Sequence, residues 1–175
     1  GLLCGMVKYG LLIPADSDSN VMIYDQIFCD IGDDQSIESN LSTFSSHMQN
    51  ITKIIDSVTP NSLVLFDEIG SGTDPIEGSN LAKSILKYLI DHNVSFITTT
   101  HYSQLKAFAF DEPKIVNASM EFDQNTLSPT YHLLLGVSGS SNAFNIAKKL
   151  GLKEEIIKKA KKITITSDDD IRKLI

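Results

Sequence analysis

Basic residues are in deficit: 15 Lys and Arg stand against 22 Asp and Glu, for a net charge of −7. Phosphate-backbone binding depends on clustered Lys and Arg, so the chain as a whole is not a nucleic-acid surface, and any such surface is expected elsewhere in a longer protein. Cysteine is scarce too. Only Cys4 and Cys29 occur, with no CxxC and no metal-ligand spacing to the four histidines. This excludes a disulfide or zinc framework and fits a reducing compartment, with a cytoplasmic location as the default. Long apolar runs are missing. Gly1 to Ile13 is apolar, but Lys8 interrupts it and it is too short to span a bilayer, so no membrane partner is expected. It has no initiator Met and reads as the interior of a helix cut from a longer protein. Finally, no G-x-x-x-x-G-K-S/T occurs anywhere. The chain therefore lacks the lysine and the nest of backbone N–H groups that carry most phosphate affinity in nucleotide sites.

What is present is 175 residues, 42% hydrophobic and 21% charged, the composition of one ordinary globular domain with a sizeable core. Its organising stretch is Asn61–Pro75, NSLVLFDEIGSGTDP. Leu63 to Phe66 read as a buried strand of a parallel sheet, ending abruptly in Asp67 and Glu68. In an open α/β sheet, ligands bind beyond the carboxyl ends of the strands, so an acidic pair there faces a site rather than a core. Two adjacent carboxylates also occur as plain solvation of a strand end, and the pair alone is a weak motif. The turn Gly70-Ser71-Gly72 then gives backbone freedom beside the acids.

Upstream, Leu2, Leu3, Met6, Val7 and Leu11 recur at helical spacing, with Gly10 and Pro14 as stop signals. Pro14 to Asn20 is a polar turn cluster, Val21–Ile31 reads as a strand, and Asp30, Gly32 and Asp33-Asp34 read as a loop. From Ile37 a stripe of Ile37, Leu41, Phe44, Met48, Ile51, Ile55 and Val58 predicts a long amphipathic helix. Its other face carries Ser39, Ser42, Thr43, Ser45, Ser46 and His47, hydroxyls where charged residues are more usual. Such hydroxyls can meet an anion near a helix start, and they equally cap and solvate helices.

Downstream of the acids, Asp74, Pro75 and Glu77 spell a helix start, with Leu81, Ile85, Leu86 and Leu89 as its buried stripe and Asn93 as its exit. Val94–Thr100 is a second buried strand ending at His101. A right-handed crossover lays these two strands side by side or nearly so, bringing His101 and the carboxylates to one edge. A short helix over Tyr102–Phe110 follows. Ile115–Phe122 and Thr130–Val137 then read as an antiparallel hairpin added to the sheet edge, with Ser128-Pro129 at a strand start. Gly136–Ser141 reads as a linker. Asn142–Leu150 and Lys153–Ile163 are two helices joined through Gly151, with Phe144, Ala147, Leu150, Leu152, Ile156, Ile157 and Ala160 facing inward. Lys158, Lys159, Lys161 and Lys162 follow Glu154 and Glu155, the order the helix dipole favours. That favours a solvated face or a protein contact over DNA readout.

LSTFSSHM at Leu41–Met48, LVLFDEIGSGTDP at Leu63–Pro75 and TTTHY at Thr98–Tyr102 together resemble the ATPase domain of the MutS family. LLIPAD at Leu11–Asp16, DIGDDQSIESNLSTFSSHM at Asp30–Met48 and LSPTYHLLLGVSGSSNAFNIAKKLGL at Leu127–Leu152 look like its second bacterial branch, MutS-two. The resemblance implies an α/β fold: an ABC-type P-loop NTPase-like parallel sheet with helices on both faces, an antiparallel edge hairpin and a C-terminal helix-turn-helix. It implies an ATPase with ATP and Mg²⁺ as cofactors, acting as a homodimer on DNA to suppress homologous recombination, with processing of stalled ribosomes as a further role. Asp67 then resembles the acid that holds Mg²⁺ through water, Glu68 the general base and His101 the switch histidine that senses the γ-phosphate. Ser42 resembles the signature serine that reaches the nucleotide of the opposite subunit, and Thr43, Gly72 and Thr73 are further nucleotide contacts. Residues 1–140 form the later part of the ATPase domain, 141–163 a dimerising helix-turn-helix, and 164–175 the start of a following segment. The family's P-loop belongs just before Gly1. Its absence implies an inactive isolated segment, with a gap in the sheet and exposed apolar surface. Two other readings stand beside this one, a dimerisation module without catalysis and an ABC-type ATPase of a chromosome-maintenance or transport family. LSTFS argues against the latter, which normally carries LSGGQ-type signatures.

Overall fold

The structure, a computed structural model, describes residues 1–32, 43–123, 126, 128–139 and 142–173. Where length and composition suggest one domain, the chain divides into two compact units, Gly1–Lys114 and Ile115–Ile175. The first unit runs α1 (Leu2–Lys8), β1 (Gln26–Asp30), α2 (Thr43–Ser57), β2 (Ser62–Phe66), α3 (Pro75–Asp91), β3 (Ser95–Thr98) and α4 (Ser103–Asp111). Its sheet is parallel, in the order β1-β2-β3, with Phe28 level with Val64 and Val64 level with Phe96. The gap expected in the sheet does not fall between these strands, which pair without interruption.

Side chains of a strand alternate between faces, and here the two faces differ. Val64 and Phe66 join Ile51 and Ile54 of α2, Ala82, Leu86 and Leu89 of α3, and Leu105 of α4 in one buried cluster, with Phe28 and Phe96 packed against it. The opposite face is more open. Leu65 there lies against Gly1 at the start of α1, while Cys29 and Ile97, its neighbours in register, are exposed, Ile97 by 62%.

Local signals account for the helix ends. Asp74 caps α3 by accepting from the N–H groups of Ile76 and Glu77 at 3.0 and 3.1 Å, with Pro75 in the first turn. α1 and α3 close with the same two-bond motif. The Leu11 and Gly10 N–H groups return to Met6 and Val7, and those of Val94 and Asn93 to Leu89 and Ile90. Gly10 and Asn93 hold the positive φ that this motif needs. Some expectations need correction. Leu81 lies on the exposed side of α3, and the buried stripe uses Ala82 and Ile90 beside Leu86 and Leu89. β1 occupies only the last part of Val21–Ile31. Ile37 and Leu41 of the expected helical stripe, Asp33-Asp34, and Ser39 and Ser42 lie outside the described residues.

In the second unit, β4 (Ala118–Asp123) and β5 (Ser128–Leu135) form the expected antiparallel hairpin. It is a two-stranded sheet of its own rather than an extension of the parallel one. Thr130 and His132 both reach Glu121 across it, and Tyr131, at φ 63°, sits where the register shifts. α5 (Ala143–Lys149) and α6 (Glu154–Lys173) follow, joined through Gly151, whose positive φ closes α5 as Gly10 closes α1. Ile157 is buried and Phe144 is half-buried under the Lys161 ammonium. Leu150, Leu152 and Ile156, expected inside, are exposed. α6 also continues past Ile163 to Lys173, because nothing in that stretch is Pro or Gly.

Candidate active site

The carboxyl ends of β1, β2 and β3 lie level with one another, and the strongest sequence signals meet there. Asp30 is the last residue of β1, Asp67 follows the last residue of β2, and Thr99 follows the last residue of β3. Backbone bonds lock the three ends: the Asp67 N–H donates to the Asp30 carbonyl at 2.9 Å, and the Thr99 N–H to the Phe66 carbonyl at 3.0 Å. Asp67 and Glu68 are both exposed. The Thr99 hydroxyl donates to Asp67 Oδ1 and accepts the Glu68 N–H at 2.8 Å. Glu68 itself has φ 48°, a left-handed conformation rare for a residue with a long side chain.

Beyond the acids the chain turns tightly. Ser71 N–H returns to the Glu68 carbonyl, and Gly70, at φ 82°, runs so close to α3 that an added Cβ would meet the Gly78 carbonyl oxygen at 2.4 Å. Gly72, at φ 85°, passes the first turn of α2, where a Cβ would stand 3.3 Å from Phe44. Thr73 is half-buried, its methyl beside Gly78. The acid loop is thus held between the start of α2 and the start of α3. Thr43 opens α2 on that side.

His101 is exposed two residues beyond Thr99, with its ring tilted against Tyr102 at 4.5 Å. Tyr102 is buried and donates to the Gly70 carbonyl at 3.0 Å, so the segment bearing His101 is tied to the loop bearing Glu68. β2 and β3 are adjacent and parallel, as the crossover argument requires, and His101 and the carboxylates share one edge of the sheet.

Two features here are not evident from the sequence. Asp30, read as a loop acid, is buried and bonds His47 Nδ1 at 2.8 Å and the Asn50 amide at 2.9 Å, both from α2. His47 and Asn50 are three apart and so share a helix face, the one signal that pointed to a common partner. The hydroxyl-bearing side of α2 is correspondingly half-buried at Ser45 and Ser46 rather than solvated. Thr99 is the second, one of three successive threonines at the end of a strand.

Among the described residues no group of three or more His, Cys, Asp or Glu could hold a metal ion. Mg²⁺ in nucleotide sites needs only one or two carboxylates, the rest of its shell being water and substrate phosphate. A single exposed strand-end acid, Asp67, therefore fits an ion delivered with a nucleotide rather than a resident metal. No helix among the described residues is long and apolar enough to cross a membrane.

A parallel sheet ending in an acidic pair, a glycine turn and a neighbouring strand that ends in threonines and a histidine defines a class, and sequence comparison agrees with it. The family model described as MutS domain V matches residues 1–167, and the chain belongs to this family, in its MutS2 branch. Relatives named "Endonuclease MutS2" include that of Finegoldia magna, 54% identical over all of this chain and 22% of its own length. That of Alkaliphilus metalliredigens is 57% identical over 93% of the chain and 20% of its own length. That of Brevibacillus brevis is 53% identical over the whole chain and 22% of its own length. The chain thus spans about a fifth of the relatives it matches.

Proposed function

We propose that this chain is the hydrolytic edge of an ATPase that couples binding and hydrolysis of MgATP to closure of a homodimer on DNA. The observation that supports it most is the convergence of Asp67, Glu68, Thr99 and His101 at the carboxyl ends of two paired parallel strands. In finer detail the fold is an ABC-type P-loop NTPase-like sheet with helices on both faces. Residues 1–140 belong to the ATPase domain, 141–163 to a dimerising helix-turn-helix and 164–175 to the start of a following segment. The exposed Leu150, Leu152 and Ile156 on the helix pair favour that dimerising role.

Within the site, Asp67 orients the water shell of the Mg²⁺ that arrives with ATP. Glu68 accepts the proton of the attacking water as its oxygen bonds the γ-phosphorus and the bond to the ADP oxygen breaks. His101 senses the γ-phosphate. Thr43, Gly72 and Thr73 are further nucleotide contacts, while Ser42 reaches the nucleotide of the partner subunit. Mg²⁺ supplies neutralisation of charge on the transferring phosphoryl group. The isolated segment, without a P-loop lysine, neither binds ATP tightly nor hydrolyses it. In the whole protein the partners are branched DNA, with suppression of recombination as the outcome, and stalled ribosomes, all in the cytoplasm.

The test is Glu68→Gln in the full-length protein. ATP binding is expected to persist and the closed dimer to accumulate, while hydrolysis falls by roughly 10²- to 10⁴-fold, the usual contribution of a positioned base. Hydrolysis at the wild-type rate would overturn the reading.

A further inference from the structure

We propose that Thr99 is a positioning residue for hydrolysis, one hydroxyl that sets both the carboxylate of Asp67 and the backbone of Glu68. The inference rests on the roles given above to those two acids. Thr99 stands one residue past β3, level with Asp67, because Phe66 pairs with Thr98 in the parallel register. Its main chain is held on both sides. The N–H donates to Phe66 at 3.0 Å and the carbonyl accepts from Ile69 at 3.3 Å, so the hydroxyl starts from a fixed backbone.

A hydroxyl has one proton to give and lone pairs to receive. Here the proton goes to Asp67 Oδ1 and a lone pair takes the Glu68 N–H at 2.8 Å. The first bond limits rotation of the carboxylate that faces the ion of MgATP. The second pins the amide of a residue at φ 48°, while the Ser71 N–H holds the Glu68 carbonyl at 3.0 Å. Glu68 is therefore gripped on both peptide groups, and the direction in which its side chain leaves the loop is set by Thr99 from one side and by the turn from the other. Strain of this kind persists only where surrounding bonds over-determine it. Valine would keep the shape of Thr99 and lose both bonds, whereas serine would keep both bonds and lose a methyl.

The experiment compares wild type, Thr99→Val, Thr99→Ser and Glu68→Gln in the full-length protein. Steady-state hydrolysis is measured alongside the Mg²⁺ concentration that half-saturates binding of a fluorescent ATP analogue. The binding arm is carried out in the Glu68→Gln background, where turnover does not interfere. Thr99→Val is expected to lower kcat about 10- to 100-fold and to raise the half-saturating Mg²⁺ about tenfold, the usual cost of losing a bond that orients a ligand. With Mg²⁺ saturating, KM for ATP should stay within about twofold, since Thr99 is given no contact with the nucleotide itself. Thr99→Ser should restore both quantities, an outcome that packing alone would not produce. The proposal is overturned if Thr99→Val matches wild type while Glu68→Gln is inactive, or if the serine variant is as impaired as valine. Wild-type hydrolysis by Glu68→Gln overturns the underlying reading and this proposal with it. Should Thr99→Val lose its thermal transition, Thr99→Ala gives the same comparison against serine.

Discussion

Tyr102 donates its hydroxyl to the carbonyl of Gly70 at 3.0 Å from inside the core, joining the segment after β3 to the loop after β2. Removing the hydroxyl leaves a buried carbonyl unpaired, which costs about 1–3 kcal/mol. Tyr102→Phe is therefore expected to lower the urea midpoint of this chain without changing the slope of its transition. A midpoint equal to wild type would show that the carbonyl finds another partner.

Gly70 and Gly78 approach each other with no room for a side chain. A Cβ at Gly78 would stand 2.3 Å from the Gly70 carbonyl oxygen and 3.1 Å from the Tyr102 hydroxyl. Gly78→Ala should destabilise by about 1–3 kcal/mol, as overpacked sites do. Gly70→Ala should cost more, because its φ of 82° adds backbone strain to the clash. Thermal unfolding of the two variants gives the order, and equal losses would refute the strain contribution.

Asp30 holds α2 through its side chain and Asp67 through its carbonyl. Asp30→Ala strips His47 and Asn50 of a partner in a half-buried setting, at about 1–3 kcal/mol. Asp30→Asn, which keeps an acceptor, should cost less. Urea denaturation of both, with hydrogen exchange of the α2 amides, checks that the loss centres on this helix.

The Lys87 ammonium beside Glu112 holds that carboxyl below its ordinary value of 4.5, and Glu112, with Asp91 behind it, raises Lys87 above 10.5. A lowered acid stabilises the fold above its unfolded pKa, and the contribution disappears as pH falls through the folded value. A raised base stabilises below its unfolded pKa, and this is lost as pH climbs through the folded one. The gap in stability between wild type and Glu112→Gln should thus be present at neutral pH and close below pH 4.5. It should be small and shrink with added salt, since the pair is at the surface. A gap that persists in acid would refute the ion pair as its cause.

The parts of this fold that local chemistry dictates were legible in the sequence. The Asp74-Pro75 start of α3, the Asn93 exit, and the apolar runs of β2 and β3 each follow from a few adjacent residues, and the crossover rule then sets the two strands side by side. What escaped depends on residues distant along the chain. Asp30 meets His47 and Asn50 only because α2 packs on β1, and Thr99 reaches Asp67 only because two parallel strands end level. Periodicity also overstates burial: Leu81 and Ile156 lie on the flanks of amphipathic helices, where a stripe on paper is wider than the surface it covers, and Leu152 lies in the connection between α5 and α6. The second helix of the pair is expected to end at Ile163, yet α6 continues to Lys173, since polar and charged residues alone do not break a helix.

Gly72 runs past the backbone nitrogen and Cβ of Phe44, atoms that remain when the ring at that position is trimmed to alanine. A substitution at Gly72 therefore has no compensating partner: trimming the ring at position 44 would not remove the atoms it strikes, and its φ of 85° stays unfavourable for any side chain. In a genetic selection, revertants of a Gly72 variant should restore glycine itself, not arise as second-site changes at Phe44.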